Sequence, residues 1–101
     1  MALSEFRYNR RRKHYAYLFK SVGPFRKCII FSTKPTRNWR EKIKNNYRLS
    51  KHPNPNCAKA VYVIPKIYID HISSFYTNSL NWNFDKNDKR IIKRIIKGKQ
   101  I

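Results

Sequence analysis

The sequence predicts an α+β fold: a small curled antiparallel sheet or partly open barrel, with a short middle helix and a C-terminal helix. Three observations predict it. Two aromatic and β-branched runs of strand length, HYAYLFK and FRKCIIFST, flank the turn residues of SVGP. A third run, KAVYVIPKIYI, is interrupted by a proline. The C-terminal stretch DKNDKRIIKRIIKGK repeats paired isoleucines every four residues, which places them on one helical face.

Taken in order, residues 1–13 end in Arg10, Arg11, Arg12 and Lys13 and read as a mobile basic N-terminal arm, since contiguous charge leaves no apolar periodicity to bury. Residues 14–101 then make a single α+β domain. Residues 14–20 form a first strand, with Tyr15 and Tyr17 on one face and His14, Ala16 and Leu18 on the other. Gly23 and Pro24 turn the chain into a second strand over 25–33, close enough to pair as a hairpin. Thr36, after Pro35, caps a short helix over 37–45. In it Trp39, Ile43 and Tyr47 recur at four-residue spacing, while Arg37, Arg40, Lys42 and Lys44 turn mostly toward water. In SKHPNPNC, Pro53 and Pro55 bias His52 and Asn54 toward extended geometry, which stiffens the connector. Residues 59–69 read as one or two strands, with Pro65 marking an edge, a bulge or a corner. HISSFY, at 71–76, reads as a further short strand and TNSLNWN as a connector. Asp85 is the N-cap of the last helix and Asp88 sits in its first turn, where the helix dipole favours a carboxylate. Ile91, Ile92, Ile95 and Ile96 pack on the sheet, Lys89, Arg90, Lys93, Arg94 and Lys97 fill the other faces, and Gly98 is the stop.

At 101 residues the chain is the size of one core, and 41% hydrophobic with 15% aromatic residues excludes a disordered-tail composition. No apolar run approaches the ~20 residues that span a bilayer, and no signal-peptide order is present; the expectation is a soluble cytoplasmic protein. Charge is the strongest signal: 24 Lys and Arg against 5 Asp and Glu leave +19. Such a surface calls for an anionic partner. Nucleic acid is favoured over a membrane surface or an acidic protein, because phosphate neutralisation releases counterions. Basic residues interleaved with tyrosine, as in RKHYAYLFK and YVIPKIYIDH, favour RNA over DNA, through stacking on unpaired bases. The binding candidates are Arg10, Arg11, Arg12, Lys13, Arg37, Arg40, Lys89, Arg90, Lys93, Arg94 and Lys97. The pattern carries no RNP-type aromatic motif and no GxxG loop, so neither an RRM nor a KH domain is supported. The oligomeric state is open.

Carboxylates limit the chemistry. Glu5, Glu41, Asp70, Asp85 and Asp88 are too few for a two-metal nuclease, and 2 glycines leave no phosphate-binding loop. No metal or cofactor is expected. Cys28 and Cys57 stand outside any C-x-x-C, which argues against a zinc knuckle and leaves a single disulfide open. A metal-independent ribonuclease needs only a base, an acid and a cation, because RNA carries its own nucleophile. His14, His52 and Arg26 are the catalytic candidates, with His71 a further histidine; the same residues could instead contact phosphate or serve structure. The alternative from another class is a non-catalytic phage or mobile-element accessory protein that coats nucleic acid or blocks a host nucleic-acid-binding enzyme. A ribosome-associated structural protein is a third reading.

FRKCIIFST resembles the strand of PemK/MazF-type toxins in which a basic residue precedes an apolar run ending in Ser or Thr. VYVIPKIYIDHISSFY followed by LNWNFDKNDKRIIKRIIKG is similar in order to their late strands and closing helix. The resemblance covers 14–98 in order of elements. It implies an SH3-like barrel, a metal-independent endoribonuclease and a protein or RNA antitoxin, with Arg26 stabilising the phosphate and Ser32 or Thr33 as the polar site residue. The chain departs from the family at Lys27, where a proline is usual, and in a first loop shortened to SVGP.

Overall fold

Aromatic and polar residues alternate on both sides of the NRRRK run, and that alternation makes a hairpin. In the computed structural model, which describes residues 2–32 and 47–99, β1 (Ala2–Asn9) pairs antiparallel with β2 (His14–Val22), matching Phe6 with Tyr17 and Tyr8 with Tyr15. The expected mobile arm is therefore corrected: residues 2–9 are a strand, and Arg10–Lys13 are its turn. The arginines read as an unburied tail, but Phe6 and Tyr8 on one side mirror Tyr15 and Tyr17 on the other. Asn9 shapes the turn. Its Oδ1 accepts from the Arg12 amide at 3.0 Å and its carbonyl from the Lys13 amide at 2.8 Å, while Lys13 adopts φ 59°.

The sheet continues through β3 (Phe25–Ser32), β4 (Tyr47–Arg48) and β5 (Tyr62–His71), in the order β1-β2-β3-β5-β4, with every pair antiparallel. Gly23, at φ 58°, turns β2 into β3. Phe19 is an extra residue of β2, between Leu18 opposite Cys28 and Lys20 opposite Lys27. Residues 65–67 of β5 face the single Ile29, so Pro65 lies at a bulge. The bulges bend the sheet strongly. Asn9 lies at one end of the hairpin and Asp70 three strands away near the other, more than about 20 Å apart on a flat sheet; yet Asn9 Nδ2 donates to Asp70 Oδ2 at 2.7 Å.

Both faces of this curled sheet are covered. On one, Phe6, Ile29, Phe31, Val63, Phe84 and Ile92 form the main core under the C-terminal helix α1 (Lys86–Lys99); on the other, Ala16, Leu18, Cys28 and Phe75 form a second cluster. That is why Cys28, Ile29, Ile30 and Phe31 are all buried in succession. After β5 the expected strand at 71–76 is instead a 3₁₀ turn (Ile72–Ser74), started by His71 Nδ1 accepting from the Ser73 amide. The chain then crosses to the free edge of β1, where Tyr76 and Leu80 donate to the carbonyls of Tyr8 and Phe6 at 3.0 and 2.7 Å. The sheet is covered at that edge without being closed.

The expected helix over 37–45 lies outside the described residues. Tyr47, the last member of its stripe, is in β4 opposite Val63. The C-terminal helix is as expected, with the Asp85 carboxylate accepting from the Asn87 amide at 3.4 Å and its carbonyl from the Lys89 amide at 2.8 Å. The helix runs to Lys99, placing Gly98 in its last turn. Among the described residues no helix is long and apolar enough to cross a membrane.

Candidate nucleic-acid interface

The pairing that makes the first hairpin also builds a surface. Phe6, Tyr8, Tyr15 and Tyr17 share one face, and α1 covers only part of it. Beyond Phe6 the face emerges as a row of rings. Tyr76 lies 5.2 Å from Tyr8, Tyr8 4.9 Å from Tyr15, Tyr15 4.7 Å from Trp82, and Trp82 5.4 Å from His52. Tyr76 and Tyr15 are 51% and 42% exposed. Trp82 is anchored from below, 6.0 Å from the buried Phe6. Arg10 stands 5.7 Å over the Tyr76 ring at one end of the row. Arg7 fixes that end, donating to the carbonyls of Tyr76 and Thr77 at 2.9 and 2.6 Å while it pairs with Glu5.

The other end of the row meets the loop that joins β4 to β5. Leu49 donates to the Val61 carbonyl at 3.0 Å and closes the loop at its base. Asp88, fully buried in the first turn of α1, accepts from the Ser50 amide at 2.9 Å, the Lys51 amide at 3.3 Å and the Tyr47 hydroxyl at 3.1 Å. Burial and then this hydrogen bond push the Tyr47 phenol up from its ordinary value. The Asn83 amide donates to the Pro53 carbonyl at 3.1 Å, and the Asn54 amide to His52 Nδ1 at 3.0 Å. Burial lowers the His52 imidazole below its ordinary 6.5. The loop thus held borders a cleft of about 340 Å³ lined by Arg48, Ser50, Lys51, His52, Asn54 and Lys59, among others, with no carboxylate among the described residues of its wall.

The predicted residues separate into groups. His14 alternates with Tyr15 on β2 and so faces away from the ring row, whereas His52 packs on Trp82 within it. Arg26 stands at the far end of the β2–β3 hairpin, its Nη1 donating to the carbonyls of Gly23 and Phe25 at 2.9 Å. His14 and His52 therefore lie on opposite faces of β2, while Arg26 stands opposite Asp70, whose carboxylate bonds to Asn9, the partner of His14 in the sheet. Ser32 closes β3 opposite Tyr62; Thr33, Arg37 and Arg40 lie outside the described residues. Of the basic turn, Arg12 is structural: Nε and Nη2 donate to the two Asp70 oxygens at 2.6 and 2.9 Å, and its guanidinium lies 4.3 Å over Tyr68. Arg10, Arg11 and Lys13 remain exposed, Arg11 3.7 Å from Asp70. Lys89, Arg90, Lys93, Arg94 and Lys97 are all exposed on α1 and form no ion pair among the described residues. Cys28 and Cys57 are free thiols. No metal-binding group of three or more ligands occurs among the described residues.

Tyr8, Tyr76, Trp82 and the cleft cations Arg48, Lys51 and Lys59 are absent from the candidates read from the sequence. The Tyr8–Tyr15 pairing was legible as alternation about the basic run. Trp82 and Tyr76 join the row only because the chain after β5 returns to the edge of β1. Comparison with family models, with curated proteins and with solved structures finds no match for this chain.

Proposed function

We propose that this protein binds single-stranded nucleic acid, RNA in preference to DNA, as a non-catalytic accessory protein. The observation that carries the reading is the row Tyr76–Tyr8–Tyr15–Trp82–His52, cationic at both ends. Unpaired bases stack on such rings while cations hold the backbone, and RNA is most often recognised through bases splayed from unpaired segments. The charge ledger supports it. Glu5 pairs with Arg7, Asp70 with Arg12 and Arg11, Asp85 caps α1, and Asp88 holds the loop. These carboxylates are engaged internally, so the cations of α1 and of the loop need an external polyanion. We also read the curled sheet as an SH3-like partly open barrel; its bulges and the return of residues 75–80 to β1 support this.

The test is fluorescence anisotropy with labelled single-stranded RNA, single-stranded DNA and duplex. Tyr15→Ala and Tyr76→Ala are each expected to weaken single-strand binding by roughly 5- to 150-fold, matching ~1–3 kcal/mol per stacked base, with the RNA left intact in EDTA. Equal affinity for duplex, unchanged in both variants, would remove the stacking reading. Cleavage that persists in EDTA would restore the metal-independent endoribonuclease.

A further inference from the structure

The ring row is one-dimensional and runs into the cleft. His52 belongs to both: its ring meets Trp82 edge-on and also lines the cleft. Because His52 Nδ1 accepts from the Asn54 amide, the neutral ring carries its proton on Nε2 and keeps a donor free. Around it stand Arg48, Lys51 and Lys59, which form no ion pair among the described residues. Two described carboxylates border the loop: Asp88, whose oxygens are taken by the Ser50 and Lys51 amides and the Tyr47 hydroxyl, and Asp85, which caps α1 and lines a neighbouring cavity with Lys51 and His52. The described wall therefore carries three cations and the His52 donor beside apolar residues such as Leu49, Pro55 and Ala58, on a loop clamped at its base by Leu49–Val61, at its start by Asp88 and at Pro53 by Asn83. A clamped loop holds its donors in place before the ligand arrives, which reduces the ordering cost of binding.

Resting on the single-strand reading, we propose that the cleft formed by Arg48, Lys51, His52 and Lys59 receives the terminal phosphate of the bound strand. A terminal phosphomonoester carries about −1.5 to −2 at neutral pH and three acceptor oxygens, against a single charge on an internal phosphodiester. Three cations, with no carboxylate among the described residues of the cleft wall, match the former. The cleft lies at His52, the last ring of the row among the described residues, so a strand laid along the rings leads its end into it. Charge-assisted hydrogen bonds from Lys and Arg are the strong ones, and they discriminate a phosphorylated end from a hydroxyl end.

The experiment uses the full chain and a short oligouridylate of about six nucleotides, within the range one such groove covers, made with hydroxyls at both ends, with a 5′-phosphate, or with a 3′-phosphate. Each competes against an internally labelled strand. One phosphorylated form is expected to bind at least about tenfold tighter than the hydroxyl form, and which one fixes the polarity of the strand. Lys51→Gln with Lys59→Gln is expected to bring that ratio to one. Lys93→Gln with Lys97→Gln, on α1, should weaken all three strands alike and leave the ratio standing. Thermal melts establish that the variants fold, which their exposed positions favour. Three equal affinities that still fall in Tyr15→Ala would overturn the terminal-phosphate site and leave the single-strand reading in place. No binding of any strand would overturn both.

Discussion

Asp70 shows how one carboxylate can organise a cationic chain. It is fully buried, accepts from Arg12 through both oxygens and from Asn9, and lies in the second core beside Cys28. Hydrogen bonds from Arg12 outweigh desolvation and hold its carboxyl below the ordinary 3.8. A depressed folded value means the stabilisation is complete above about pH 4 and is lost as pH falls through the folded pKa. The wild type should therefore lose stability on acidification below pH 4, and Asp70→Asn should flatten that slope. The same variant should cost roughly 3 kcal/mol at neutral pH in chemical denaturation, since it leaves Arg12 without its charge partner. Cys28 is a second local case. Burial, and then the Asp70 charge, push its thiol up to about 12, so it is unreactive in the folded protein. Ellman's reagent should titrate one thiol natively, the half-buried Cys57, and two after denaturation; two native thiols would contradict the buried position of Cys28.

The loop between β4 and β5 and the helix α1 act as one unit through Asp88. The position was legible as a first-turn carboxylate, but its partners are the Ser50 and Lys51 amides of a remote loop as well as the Tyr47 hydroxyl. Asp88→Ala should cost about 2 kcal/mol, the scale of leaving buried donors unpaired. It should also speed hydrogen exchange at Ser50 and Lys51 before it affects β2 and β3. Within α1 the isoleucines are not equal. Ile92 is 1% exposed in the main core, whereas Ile91 and Ile95 are half-buried. Ile92→Ala should destabilise by roughly 2–5 kcal/mol by leaving a cavity, and Ile91→Ala by clearly less. Similar losses at both positions would show that the helix docks on a different face.

For the molecule as a whole, charge is the property that reaches farthest. The described carboxylates are tied down internally, while α1, the basic turn and the loop carry cations outward. Single-strand affinity should therefore fall steeply with salt, on the order of a hundredfold between about 50 and 200 mM for roughly five neutralised phosphates. A flat salt response would mean that the cations do not face the ligand. The bulges matter at this level too. By coiling the sheet they bring Asn9 to Asp70 and the 75–80 segment to β1, and so assemble the ring row from residues 8, 15, 76 and 82.

Local patterns were enough to read β2, β3, an irregularity at Pro65 (left open as an edge, a bulge or a corner), the capped C-terminal helix and the cationic surface, because period, caps, turn residues and net charge depend on neighbours within a few positions. The same locality misread the first thirteen residues: a run of arginines looks like a solvated tail until the strand on its far side is seen to pair back. Folding in three dimensions separated His14 from His52 by putting them on opposite faces, turned Arg12 inward to a carboxylate 58 positions away, and joined Trp82 and His52 to the tyrosines of the first hairpin. Those outcomes depend on sheet curvature and on the path of the chain after β5. Neither is written in any short window, since both arise from the packing of segments distant in sequence.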